Sequence, residues 1–232
     1  MAIVINGSGT VTGISVGGLP DGIVDADMLA SGAAASAIGD LSDAATTATS
    51  NIGLGSTTVD SITTGDYNVG VGDNALTATT EGSNNSGFGH NALASNTTGS
   101  SNTGYGASAL WGNTTASYNT AVGMQACNST STGANNTGIG YHALFVNTTG
   151  AENVAVGSLA LDANTTGSTN TAVGNQALSA NTTASDNTAV GQAALANNST
   201  AGANTAVGRS AMAANTTGTH NIGIGWRARP NA

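Results

Sequence analysis

The chain is expected to fold as an all-β solenoid of 17-residue coils. Three observations carry that expectation. A glycine recurs every 17 residues from Gly55 to Gly225, in eleven copies with no insertion or deletion. An asparagine stands four places before each of these glycines, from Asn51 to Asn221. The composition does not suit one large core: of 232 residues 34 are Gly, 3% are aromatic and 6% are charged. Ordinary loops accept insertions, so a repeat that refuses them implies coils lying in register on one another. A disordered chain would carry more charge and lack a strict apolar period.

Taken in order, residues 1–24 open with alternating apolar positions at Ile3, Ile5, Val11, Ile14 and Val16, read as short strands, and a turn at Leu19–Gly22. Residues 25–50 are Ala-rich. Asp25 or Asp27 could cap a helix there. Ile38, Leu41, Ala45, Ala48 and Ile52 have the spacing of a weak coiled-coil seam. Gly32 and Gly39 oppose a continuous helix, which leaves a flexible linker as the other reading.

Residues 51–225 form the repeat, typified by Asn119–Gly123, "NTAVG". The residue two before each glycine is Ala or Gly, and the one just before it is large and apolar. That apolar series is the expected coil core: Val71, Phe88, Tyr105, Val122, Ile139, Val156, Val173, Val190, Val207 and Ile224. The glycine suits a tight turn with positive φ. Ala-Leu, three and four places after it, is expected to form a second short strand. "NTTG", as at Asn96–Gly99, gives the longer return, with Asn and Gly in left-handed conformations. Stacked asparagines can bond one another and turn amides. One such coil is thin, so burial against other chains is expected, and the small residue two before the glycine suits a close backbone approach. Residues 226–232 break the pattern with Trp226, Arg227, Arg229 and Pro230. They read as a cap on the last coil or as a tip that touches a receptor.

Several functions are excluded. The formal net charge is −9, with no Lys and only three Arg, so no basic face exists for nucleic acid. No apolar run spans a membrane as a helix, and the opening residues lack signal-peptide character. The single cysteine, Cys127, takes the Leu place of its copy and reads as a small buried apolar group. His90, His142 and His220 occupy three different repeat positions, and no paired carboxylates recur, so neither catalysis, nor a metal, nor a cofactor is expected. The Asn-Thr-Thr triplets match glycosylation sequons but read as turns. Trp111 and Phe145 share an outward position two coils apart and could form a lateral aromatic patch. Hexapeptide helices, Asp-bearing calcium rolls and leucine-rich repeats do not fit the period or the residues.

The repeat "NTAVGxxAL" is similar to the head repeats of YadA-type trimeric autotransporter adhesins over residues 51–229. That resemblance implies a left-handed parallel β-roll and a homotrimer of parallel chains. The N-terminal "INGSGTVTGISVGGLPDGIVDADMLA" resembles the opening of bacteriophage tail-fibre proteins, particularly those of cyanophages. It implies a virion-docking segment at 1–24 that binds a baseplate or tail protein. The function expected is a trimeric tail fibre or short spike, assembled in the host cytosol, that contributes to attachment to a host surface glycan or protein. A capsid decoration fibre and an ice-binding solenoid are the alternatives. The ice-binding reading is weakened because the two Thr of Asn-Thr-Thr are adjacent and face opposite sides.

Overall fold

The computed structural model describes residues 4–5, 11–12 and 50–229. The chain divides into two units, Met1–Gly39 and Asp40–Ala232. In the first, β1 (Val4–Ile5) pairs antiparallel with β2 (Val11–Thr12). The turn expected at Leu19–Gly22, the helix cap at Asp25 or Asp27 and the seam from Ile38 to Ala48 lie outside the described residues. Ile52, the last seam residue, belongs to a strand instead.

The second unit is a β-solenoid. Eleven three-residue strands, β3 (Ile52–Leu54) to β13 (Ile222–Ile224), form one parallel sheet in chain order. Each pairs with the strand 17 residues on, so Thr120 faces Thr137 and Val122 faces Ile139. Ten intervals at a strand spacing of about 4.8 Å make a stack about 48 Å long. Among the described residues there is no helix. The turns are laddered too: Leu144 N–H donates to Ala160 O at 2.9 Å and Gln125 N–H to Ala107 O at 2.9 Å.

Each coil turns at its glycine. Gly123 has φ 129°. A Cβ there would lie 2.7 Å from the carbonyl oxygen of Gly140 in the next coil. The stack thus requires the residue twice over, for conformation and for space.

The pleat has the opposite phase to the one expected. In Thr120–Val122 the middle residue, Ala121, is buried, while Thr120 is half-buried and Val122 exposed. The expected coil core therefore faces outward: Tyr105, Val122, Ile139, Val190, Val207 and Ile224 are exposed, and Val71, Phe88, Val156 and Val173 are half-buried. The interior belongs to the small residue two before the glycine and to the Ala-Leu pair after it. A Cβ on Gly87 would approach Leu76 Cγ to 3.3 Å, so leucine from one coil fills the space beneath the strand of the next. A residue of valine size or larger has no room on that side. The small residue two before the glycine thus makes space inside the coil, not for another chain.

Ala-Leu forms no second strand. Leu144 sits in the left-handed region at φ 56°, as does the residue at this place in every coil from Val59 to Met212. That conformation costs a side-chain-bearing residue about 1–2 kcal/mol. Full burial of a leucine returns about 1.5–3 kcal/mol, and Leu144 is completely buried. In the longer return, neither the Asn nor the Gly of the Asn-Thr-Thr-Gly segment is left-handed, as at Asn147 and Gly150; the residue that is stands just before the next coil's Asn, such as Asn135 or Glu152.

Two columns of asparagine run through the interior. In the first, Asn136 N–H donates to Asn119 Oδ1 at 2.8 Å, and its Nδ2 donates to Gly150 O at 2.9 Å. In the second, seven places after the glycine, Asn164 Nδ2 donates to Asn147 Oδ1 at 2.8 Å and to Gly167 O at 2.9 Å. Stacked asparagines therefore bond one another, as the sequence implies, and also saturate the turn carbonyls.

Candidate functional site

The functional surface of a solenoid is its outside, since each coil interior is filled. The five candidate contact residues fall in two places. At the C-terminal coil, Trp226 is 67% exposed and the Arg227 guanidinium lies 5.0 Å from its ring centroid. Arg229 is exposed beside them. Trp226 does not cover the last coil. Ala228 does, packing on the core while Met212 N–H donates to its carbonyl at 2.7 Å. A shallow cavity of about 200 Å³ next to it is lined by Ser210, Met212, Ala213, Ala214, Arg227, Ala228 and Arg229. It holds two cations and no acid, so it suits an anionic or hydroxyl-rich group.

On the flank, Trp111 is exposed and Phe145 half-buried. The aromatic partners of Phe145 come from its own coil. His142 stacks on Phe145 with centroids 4.3 Å apart, and Tyr141 stacks on His142 at 3.9 Å. His142 Nε2 lies 2.7 Å from Gln125 Oε1 of the preceding coil. One coil beyond, burial raises the Asp162 pKa above its ordinary value, against the lowering effects of backbone hydrogen bonds and of His142. Its Oδ1 is buried without a hydrogen-bond partner. The stack is thus Tyr141, His142 and Phe145, of which sequence spacing singled out Phe145 alone; Trp111 lies two coils away, with Asn128 at the intervening position.

The larger surface was hidden by the pleat phase. Fifteen large apolar or aromatic side chains are exposed among the described residues. Fourteen lie on the parallel sheet or on the residues bordering it, from five before to one after the glycine; Trp111 alone lies elsewhere. The sequence signal was present, since only a small residue occurs at the middle of each strand.

Among the described residues no group of three His, Cys, Asp or Glu could hold a metal ion. Cys127 is fully buried, and burial pushes its thiol up to about 12, far from a reactive thiolate. The sequon asparagines Asn96, Asn113, Asn147, Asn164 and Asn181 are wholly buried and inaccessible once the coil forms. No helix of the described residues is long and apolar enough to cross a membrane. Comparison with protein-family models, with curated proteins and with solved structures gives no match.

Proposed function

We propose that the chain is the shaft of a trimeric virion fibre, a phage tail fibre or short spike that contributes to host attachment. The observation that carries this reading is the eleven-strand stack with unbroken register. A periodic rod whose coils bond along their whole length resists bending and holds its ends apart, which is what an attachment fibre needs. The resemblance of the N-terminal residues to phage tail fibres adds the docking end. The Trp226–Arg227 pair and the Tyr141–His142–Phe145 ridge supply aromatic faces on which a sugar ring or a protein side chain can stack.

Electron microscopy of particles carrying a gold-labelled N-terminus tests the reading. Label on the tail supports it. Label on the capsid replaces it with a decoration fibre, and purified particles without label overturn both.

One observation favours a second reading, ice binding. Nine places after the glycine, Thr98, Thr115, Thr132, Thr149, Thr166, Thr183, Thr200 and Thr217 form an exposed file on eight consecutive coils. The neighbouring Thr or Ser is half-buried in the first seven of these coils and in six of them spends its hydroxyl on the next coil, as Thr148 Oγ1 does on Thr165 O at 3.1 Å. Thermal hysteresis that disappears in Thr149→Lys would establish the ice-binding reading. Its absence in the native protein removes it.

A further inference from the structure

We infer that the cavity at the C-terminal coil binds an acidic sugar, a pyranose ring that carries a carboxylate. The inference rests on the attachment reading and deepens it by naming the class of ligand. Two observations set this end apart from the rest of the stack. The first is charge. Residues 187–232 hold all three arginines and none of the twelve acids. The last acid of the chain, Asp186, stands just before the coil of Gly191, two coil spacings or about 10 Å along the stack from that of Gly225. That distance is one Debye length at about 0.1 M salt, so its repulsion of an anion is largely screened. The second is Arg229. It stands four places after the glycine, where every coil from Val59 to Met212 buries an apolar side chain. In the last coil the same place is exposed and charged. The fold does not require that charge. Ala228 covers the coil, and among the described residues no carboxylate pairs with Arg227 or Arg229.

The cavity is formed before any ligand arrives. Arg227 N–H donates to Arg209 O at 3.0 Å and Met212 N–H to Ala228 O at 2.7 Å, so the backbone on both sides is fixed. The Trp226 ring, 5.0 Å from the Arg227 guanidinium, orients that side chain. Less freedom therefore remains to be lost on binding.

The lining selects the ligand. Each guanidinium is a planar fork that takes a carboxylate through two parallel hydrogen bonds. Ser210 adds a hydroxyl, which both donates and accepts, and Met212, Ala213 and Ala228 supply an apolar floor. Trp226 adds an exposed aromatic face beside Arg227. A free inorganic anion would use the arginines alone. A sugar acid uses every group: carboxylate on the arginines, hydroxyls on Ser210, and the C–H face of its ring on the apolar and aromatic surfaces. At about 200 Å³ the cavity is smaller than the roughly 300–1,000 Å³ of sites for drug-sized ligands, so it holds one sugar unit and leaves the rest of a glycan outside.

Saturation-transfer NMR on the full chain tests this, with methyl glucuronide, methyl N-acetylneuraminide and methyl glucoside as probes. Transfer to one or both acidic sugars and not to the neutral glucoside is expected; which of the two responds tells whether the floor takes an acyl methyl. Arg227→Gln and Arg229→Gln are each expected to weaken binding about tenfold, through the loss of a charge-assisted pair, with an unchanged circular dichroism spectrum. Arg209→Gln removes the same charge outside the cavity and is expected to leave binding nearly as it was. Equal losses in all three variants overturn the site in favour of diffuse attraction. Equal transfer to the glucoside overturns the role of the carboxylate. Inorganic phosphate that displaces either probe more readily than free glucuronate does overturns the sugar and leaves an anion site. No transfer to any probe overturns the inference alone, since the fibre reading stands or falls with the labelled particles.

Discussion

The two buried asparagine columns differ in one respect. The column four before the glycine is complete, from Asn51 to Asn221. The column seven after it holds Ile62, Thr79 and Thr130 among its asparagines. Both sets of amides bond their neighbours and a turn carbonyl. In the first column the side chain also accepts a backbone N–H from the next coil, as Asn136 Oδ1 does from Asn153 N at 3.0 Å. In the second the backbone N–H has a partner within its own turn: Asn164 N–H donates to Leu161 O at 3.1 Å. Losing a second-column amide leaves side chains short of partners. Losing a first-column amide also leaves a peptide group orphaned, and an unsatisfied buried group costs more than a lost bond. This difference accounts for invariance in one column and tolerance in the other.

The largest expected effect breaks the complete column. Asn136→Ala removes the acceptor of the buried Asn153 N–H, and it should destabilise the fold by about 3 kcal/mol. Asn164→Ala, in the tolerant column, strands only side-chain atoms of Asn147 and Asn181 and should cost about half as much. Chemical denaturation of both variants at one fixed protein concentration measures the ratio. Equal losses would remove the explanation.

The columns also show what could be read in advance. The period, the stacking of the asparagines and the glycine turn follow from spacing alone, because each is a demand that every coil makes equally. The pleat phase does not. Alternation along a strand is certain, but a one-residue shift moves the whole apolar set to the other side. In "TAV" the choice is made by Leu144 and its equivalents from outside the strand, which leave room only for Ala or Gly. Those leucines were read as strand residues because their left-handed backbone, offset by burial, leaves no mark on the sequence. The site was partly legible for the same reason. Repeat arithmetic gives Trp111 and Phe145 one outward position, yet Phe145 is half-buried and stacks on His142 of its own coil. The stack of Tyr141, His142 and Phe145 depends on turn geometry within one coil, which periodicity does not report.

Repairing the broken column should have a smaller, favourable effect. Thr130 Oγ1 is buried and has no hydrogen-bond partner. On either side of it Asn113 bonds back to Asn96 and Asn147 reaches only Gly150 O, so the ladder is interrupted. Thr130→Asn restores the link in both directions and removes an orphaned hydroxyl. A gain of about 1 kcal/mol is expected, or about 2–4 °C in thermal midpoint for a chain of this size. Thr130→Val, which removes the hydroxyl without closing the ladder, should recover only part of it. A valine variant as stable as the asparagine variant would show that the orphan, and not the ladder, is what matters.

The smallest effect concerns Asp162, the one carboxylate among the described residues whose buried oxygen has no hydrogen-bond partner. Burial raises the Asp162 pKa in the folded state above its ordinary value of 3.8, although backbone hydrogen bonds and His142 pull it down. The neutral acid is thus the form that the fold prefers. Its stabilising contribution is complete below the ordinary value and is lost as pH rises through the raised one. Asp162→Asn should therefore be slightly more stable than the native protein at pH 7, and the difference should vanish toward pH 3. Because the side chain is only half-buried, solvent screens much of the effect. Thermal midpoints of the two proteins, measured side by side across that range, give the difference directly. A gap that widens on acidification would mean that the ionised carboxylate is the favoured form, with interactions on the flank outweighing its burial.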